Sequence, residues 1–103
     1  MKILITGASS GIGKEMAKIL NKDGNELILV ARDIEKLNKV KKELENDGGK
    51  IEIFNMDLSN EENCIELHKN VENVDILINN ARVWGLWQFY ENKLRQRIKY
   101  DKN

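Results

Sequence analysis

Residues Lys2 to Gly13 read Lys-Ile-Leu-Ile-Thr-Gly-Ala-Ser-Ser-Gly-Ile-Gly. Ile3, Leu4 and Ile5 make an apolar run of strand length, which breaks at once into glycines and small hydroxyl residues before a helical pattern begins at Ile12. The order is strand, tight turn, helix start. Gly7, Gly11 and Gly13 can take backbone angles closed to other residues and, without side chains, let a ligand come up against the main chain. The first amides of a helix lack intrahelical partners and lie at the positive end of its dipole, so a diphosphate over this turn meets donors and a favourable field. The stretch points to a nucleotide.

Three glycine motifs compete for this turn. A Walker A loop would need a glycine where Ala8 stands and a hydroxyl residue where Glu15 stands. The dinucleotide fingerprint G-x-G-x-x-G fails because Gly7 is followed by three residues, Gly11, one residue and Gly13. The third pattern, T-G-x-x-x-G-x-G, is complete and contiguous from Thr6 to Gly13, and in this the chain resembles the short-chain dehydrogenase/reductase family. The resemblance implies cofactor contacts from Gly7, Ser9, Ser10, Gly11, Ile12 and Gly13.

Composition sets limits on the reading. At 103 residues the chain is at most one small domain, roughly half the length of a complete doubly wound dehydrogenase. With 17 basic and 17 acidic residues it carries no field to attract nucleic acid and no polybasic membrane patch. A single cysteine, Cys64, rules out an internal disulfide, and no apolar run has the length of a membrane span or the pattern of a signal peptide. A cytoplasmic chain is expected.

Beyond the turn, strand and helix patterns alternate. A helix with an apolar stripe of Ile12, Met16, Ile19 and Leu20 is expected to end near Gly24. Glu26 to Ala31 is apolar almost without alternation, as in a parallel strand covered on both faces. Asp33 caps a second helix with the stripe Ile34, Leu37, Val40 and Leu44, closed by Gly48 and Gly49. Ile51 to Met56 is a third strand; Ser59 and Glu62 form a capping box for a third helix, which turns Cys64, Leu67 and Val71 inward. Val74 to Ile78 is the fourth strand. The fold class is α/β: a Rossmann-like, doubly wound parallel sheet, incomplete at four strands and three helices, followed by an irregular or helical tail. Residues 1–81 form the NAD(P)-binding half-domain and 82–103 a divergent tail.

The end of the second strand bears on cofactor choice. A carboxylate there holds a ribose 2′-hydroxyl, whereas a 2′-phosphate needs an arginine. Ala31 is followed by Arg32, whose guanidinium can fork onto phosphate oxygens, which favours NADP over NAD; Asp33 is occupied as a helix cap. Three further positions follow from the family resemblance. Asp57, with the Leu58 amide beside it, matches the carboxylate that holds the adenine amino group, while Asn79, Asn80 and Ala81 match the Asn-Asn-Ala-Gly motif that ties the central strands and borders the cofactor. Read from the residues alone, Asp57 also suits a turn and Asn79 a buried amide. Cys64 and His68 have no partner at metal-ligand spacing and read as packing residues, so no metal is expected.

After Ala81 the pattern departs. Arg82 replaces the family's glycine, Tyr90 is followed four residues on by Leu94, and Tyr100 has only three residues after it, so the catalytic serine and Tyr-x-x-x-Lys have no counterpart here. Trp84, Trp87, Arg82, Arg95 and Arg97 crowd into this tail. One permitted coding of Arg95 to Asn103, read one nucleotide on, resembles the family helix that carries a catalytic asparagine. Phe89 to Leu94 fits the family unshifted and Arg82 to Trp87 reads as shifted, so a frameshifted, truncated gene is expected. Three readings follow: the cofactor half of an NADP-linked oxidoreductase acting on a carbonyl or alcohol, a nucleotide-binding module without catalysis, or a truncation product without function. The resemblance also implies a small-molecule substrate and an oligomer whose interface helices lie beyond residue 103.

Overall fold

The computed structural model describes residues 1–81 and 85–98. The tail positions Arg82, Trp84 and Tyr100 lie outside the described residues. The elements are β1 (Lys2–Thr6), α1 (Gly11–Lys22), β2 (Glu26–Ala31), α2 (Ile34–Asn46), β3 (Ile51–Asn55), α3 (Glu61–Asn70), β4 (Ile76–Asn79) and α4 (Leu86–Arg97). All strand pairs are parallel, in the order β3-β2-β1-β4. The chain steps outward from β1 to β3 and then returns to the other side of β1, so the order reverses between β1 and β4. In open α/β sheets that is where ligands bind, beyond the carboxyl ends of the strands.

The apolar strands serve two cores at once. Ile3 and Ile5 of β1, with Leu27 and Leu29 of β2, face α1 and α2, while Leu4, Ile28, Val30 and Leu77 face α3 and α4. Successive side chains on a strand point to opposite faces, so a strand covered on both sides has no polar positions to spare. On the first face Leu37, Val40 and Leu44 of α2 pack down; on the second, Cys64 and Leu67 of α3, with Val71 just after it, meet Trp87, Leu94 and Ile98. Each fully buried aliphatic side chain of this kind contributes about 1.5–3 kcal/mol.

Two local expectations are corrected. The buried face of α1 is Gly13, Ala17 and Asn21; of the expected stripe, Leu20 packs against the core, whereas Ile12 and Ile19 are 70% and 60% exposed. Small residues at i, i+4 and i+8 let the helix axis lie close to the strands, and this close approach outranks the larger apolar side chains. Asn21 crosses to the second helix, its Nδ2 donating to the carbonyl of Leu44 at 3.0 Å. At the start of α3 the cap is Asn60, whose side chain accepts from the Asn63 amide at 3.2 Å. Ser59 is instead tied to Asp57.

Candidate functional site

An open cleft of about 1140 Å³ lies beyond the carboxyl ends of the strands. Its floor is the turn after β1, with Gly7, Ser9, Ser10, Gly11 and Ile12. Val30 to Asp33 and Lys36 form one wall, Met56 to Ser59 another, and Asn80 and Ala81 close the side toward β4. The volume exceeds the roughly 300–1,000 Å³ of enclosed small-ligand sites because the cleft is open to solvent. A second cavity of about 290 Å³, beside the start of β4, is lined by apolar groups such as Leu4, Val71 and Leu94, with Glu72, Asn73 and Arg97. The larger cleft is where the donors converge.

The turn is held from three sides. Gly7 and Gly11 have φ of 65° and 59°, the left-handed region that side chains disfavour. The Ala8 amide donates to the carbonyl of Val30 at 3.2 Å, fixing the turn to β2. Asn80 Nδ2 donates to the carbonyl of Gly7 at 3.1 Å, fixing it to the end of β4. Gly13 lies beneath rather than in the cleft: a Cβ there would collide with the Gly7 carbonyl oxygen and come within 2.7 Å of Asn80 Nδ2. A Cβ on Gly11 would meet nothing within 4 Å.

The helix that follows is uncapped. Ser10, at the N-cap of α1, is extended with φ −159° and makes no side-chain cap, unlike Asp33 and Asn60 at the starts of α2 and α3. Ser10, Gly11 and Ile12 line the cleft, and the N-cap side chain takes none of the first amides of α1. An anion there meets main-chain donors and the positive end of the dipole.

Arg32 is exposed on the adjoining wall. Its backbone is placed by Asn55, whose Nδ2 donates to the carbonyls of Ala31 at 3.1 Å and Arg32 at 2.8 Å. Asp33 accepts from the Lys36 amide at 3.1 Å, so its carboxylate serves the helix. Opposite, Asp57 Oδ1 accepts from the amide and hydroxyl of Ser59 at 2.9 and 2.7 Å. These two bonds, with a smaller contribution from Arg32, hold the Asp57 carboxyl below its ordinary range, so it is an acceptor at neutral pH. Leu58 is buried, and its carbonyl accepts from Cys64 Sγ at 3.1 Å.

The structure brings together Gly7, Ser9, Ser10, Gly11, Ile12, Arg32, Asp57, Leu58, Asn80 and Ala81 around the cleft. Gly13 and Asn79 stand one layer behind it. Lys36 and Ser59 join the lining beyond the residues that the sequence points to, and Asn55, the last residue of β3, supports it from behind through the Arg32 carbonyl. Cys64 is buried, and burial with Asp57 and Glu61 nearby pushes its thiol upward, away from nucleophilic chemistry. His68 packs edge-on against Tyr90 at 6.0 Å.

Comparison with known proteins gives the family. The model described as short chain dehydrogenase matches residues 1–99. The chain belongs to the short-chain dehydrogenase family. A fatty acyl-CoA reductase of Acinetobacter baylyi is 45% identical over 82 residues, covering 76% of this chain and 28% of that protein. A 3-oxoacyl-[acyl-carrier-protein] reductase of Rickettsia prowazekii is 42% identical over 80 residues, covering 78% of this chain and 32% of the reductase. Among solved structures, a metagenomic short-chain oxidoreductase in complex with NADP superposes with a TM-score of 0.75 at 37% identity, over 81% of this chain and 39% of the other. This short-chain dehydrogenase chain thus spans about a third of the length of the curated relatives it matches. Its match to the family model runs through α4, beyond the end of the glycine-turn half at Ala81. Among the described residues, no helix is long and apolar enough to cross a membrane.

Proposed function

We propose that this chain is the NADP(H)-binding portion of an oxidoreductase that moves hydride between the nicotinamide and a carbonyl or alcohol substrate. The observation that carries the reading is the uncapped start of α1 under the Gly7–Gly11 turn, opening into the cleft with Arg32 on its wall. The nicotinamide supplies the hydride when bound; the chain's own residues bind and orient. The amides of Ser10 to Ile12 would take the diphosphate, Asp57 and the Leu58 amide the adenine, Arg32 the 2′-phosphate, and Asn80 and Ala81 the border toward the nicotinamide end. The solved relative in complex with NADP supports the cofactor choice over NAD.

Catalysis needs more than these residues. Tyr90 is followed four positions on by Leu94, so the Tyr-x-x-x-Lys arrangement is not formed here. That observation favours a second reading of this stretch as a nucleotide-binding module without turnover of its own. The reading of residues 82–103 as a frameshifted tail is tested by sequencing, and an uninterrupted frame agreeing with this tail would overturn it.

The test is titration calorimetry of the chain with NADPH and with NADH, alongside Arg32→Ala. NADPH binding that weakens about tenfold in the variant, with NADH little changed, is the expected result for a charge-assisted phosphate contact. Equal binding of the two cofactors by both proteins would remove the NADP assignment, and binding of neither would remove the cofactor reading.

A further inference from the structure

Trp87 is the largest fully buried side chain of the described residues, at 0% exposure, although it lies in the segment that the sequence sets apart as a divergent tail. A buried indole N–H needs an acceptor. It donates to Asn79 Oδ1 at 3.1 Å, and the same oxygen takes the Thr6 hydroxyl proton at 2.6 Å. Both acceptor sites of that oxygen are then used. On the other side of the carboxamide, Asn79 Nδ2 donates to Glu91 Oε1 at 2.8 Å, and Glu91 Oε2 accepts from Arg95 Nε at 3.0 Å. The carboxamide therefore has one orientation only, because flipping it would set its NH2 against the indole N–H, which can only donate, and its oxygen against a carboxylate.

The consequence reaches the cleft through Thr6. Once its proton is committed to Asn79, Thr6 Oγ1 has only acceptor capacity left, and it takes the amides of Asn80 at 3.0 Å and Ala81 at 3.1 Å. Those two residues line the cleft, and the Asn80 side chain holds the Gly7 carbonyl. From the Asn80 and Ala81 amides through Thr6 and Asn79, each proton points toward Glu91, which is largely shielded from solvent, at 15% side-chain exposure. We infer that α4 is part of the framework of the cleft, with Trp87 and Glu91 acting as positioning residues that set the main chain of Asn80 and Ala81. The part of this inference that concerns binding rests on the dinucleotide reading above; the part that concerns the main chain does not.

The experiment compares Glu91→Ala, which removes the acceptor, Glu91→Gln, which keeps one, and Trp87→Phe, which keeps the ring but not the N–H. Amide hydrogen exchange at Asn80 and Ala81 is read against the Leu29 amide in the opposite core, and NADPH titrations accompany it. Loss of one charge-assisted bond is expected to speed exchange at Asn80 and Ala81 about tenfold beyond any change at Leu29, with Glu91→Gln within about twofold of the parent. NADPH affinity should fall in the same order of variants. If Asn80 and Ala81 change only as much as Leu29, then α4 is packing alone and the inference is overturned, whether or not NADPH binds. If the two amides respond while the parent chain binds neither NADPH nor NADH, the positioning role stands and the dinucleotide reading falls. Should Glu91→Ala fail to fold, Trp87→Phe against the parent decides the same question.

Discussion

Asn80 Nδ2 donates to the carbonyl of Gly7 across 73 positions of sequence, joining the end of β4 to the turn that follows β1. Neither strand alone could hold the turn open. The side chain is half-buried, so replacing it leaves the Gly7 carbonyl without its protein donor. Asn80→Ala should cost about 1–2 kcal/mol in urea unfolding, the range for a lost and partly desolvated hydrogen bond. A change under a few tenths would show that the Ala8 to Val30 bond alone fixes the turn.

Gly13 and Gly11 should respond to alanine for different reasons. At Gly13 a Cβ meets the Gly7 carbonyl, a backbone atom that cannot step aside without moving the turn. Gly13→Ala is expected to destabilise by about 1–3 kcal/mol, as overpacking does. At Gly11 nothing is near, and the cost is the left-handed φ of 59° alone, about 1 kcal/mol. Thermal or urea unfolding of the two variants side by side checks the order, and Gly11→Ala as the more damaging change would contradict it.

His68 gives the fold a pH dependence of predictable sign. Burial, and then the nearby charges of Arg97 and Lys93, lower its pKa from the ordinary 6.5, so the native state disfavours the charged imidazole. The unfolded chain then binds more protons between the folded pKa and 6.5. Stability contributed by neutral His68 is therefore full above 6.5 and declines as pH falls below it, levelling off once the folded-state imidazole is protonated. Urea midpoints between pH 7.5 and pH 5 should show that decline, and His68→Gln should flatten it. An unchanged slope in the variant would assign the dependence to other groups.

The sheet was legible because a doubly covered parallel strand is written almost wholly in apolar residues, and β2 is the plainest case. The glycine turn was legible because its spacing is itself a backbone requirement, met at Gly7 and Gly11 by positive φ. Reading failed where smallness rather than apolarity decided. Pattern analysis favours Ile12 and Ile19 for the inner face of α1, yet Gly13, which leaves room for the turn, and Ala17, which packs in the core, occupy it. Asn60 displaced Ser59 at the start of α3 because Ser59 was drawn to Asp57, a competition between neighbouring side chains that spacing cannot rank. Asn79 illustrates a third kind of gap. Its side chain is spent on Thr6, Trp87 and Glu91, and nothing in a linear sequence announces that an indole from the next helix will arrive there.

The two-faced sheet makes chain neighbours into strangers. Ile28 and Leu29 are adjacent, yet one answers to α3 and α4 and the other to α1 and α2. The four strands of backbone are the one layer the two compartments share. The cleft is lined from both compartments, with buried Ala31 from one side and buried Val30 and Leu58 from the other. A molecule seated there would touch both at once, as a rivet passes through two plates, and its departure would loosen the two together.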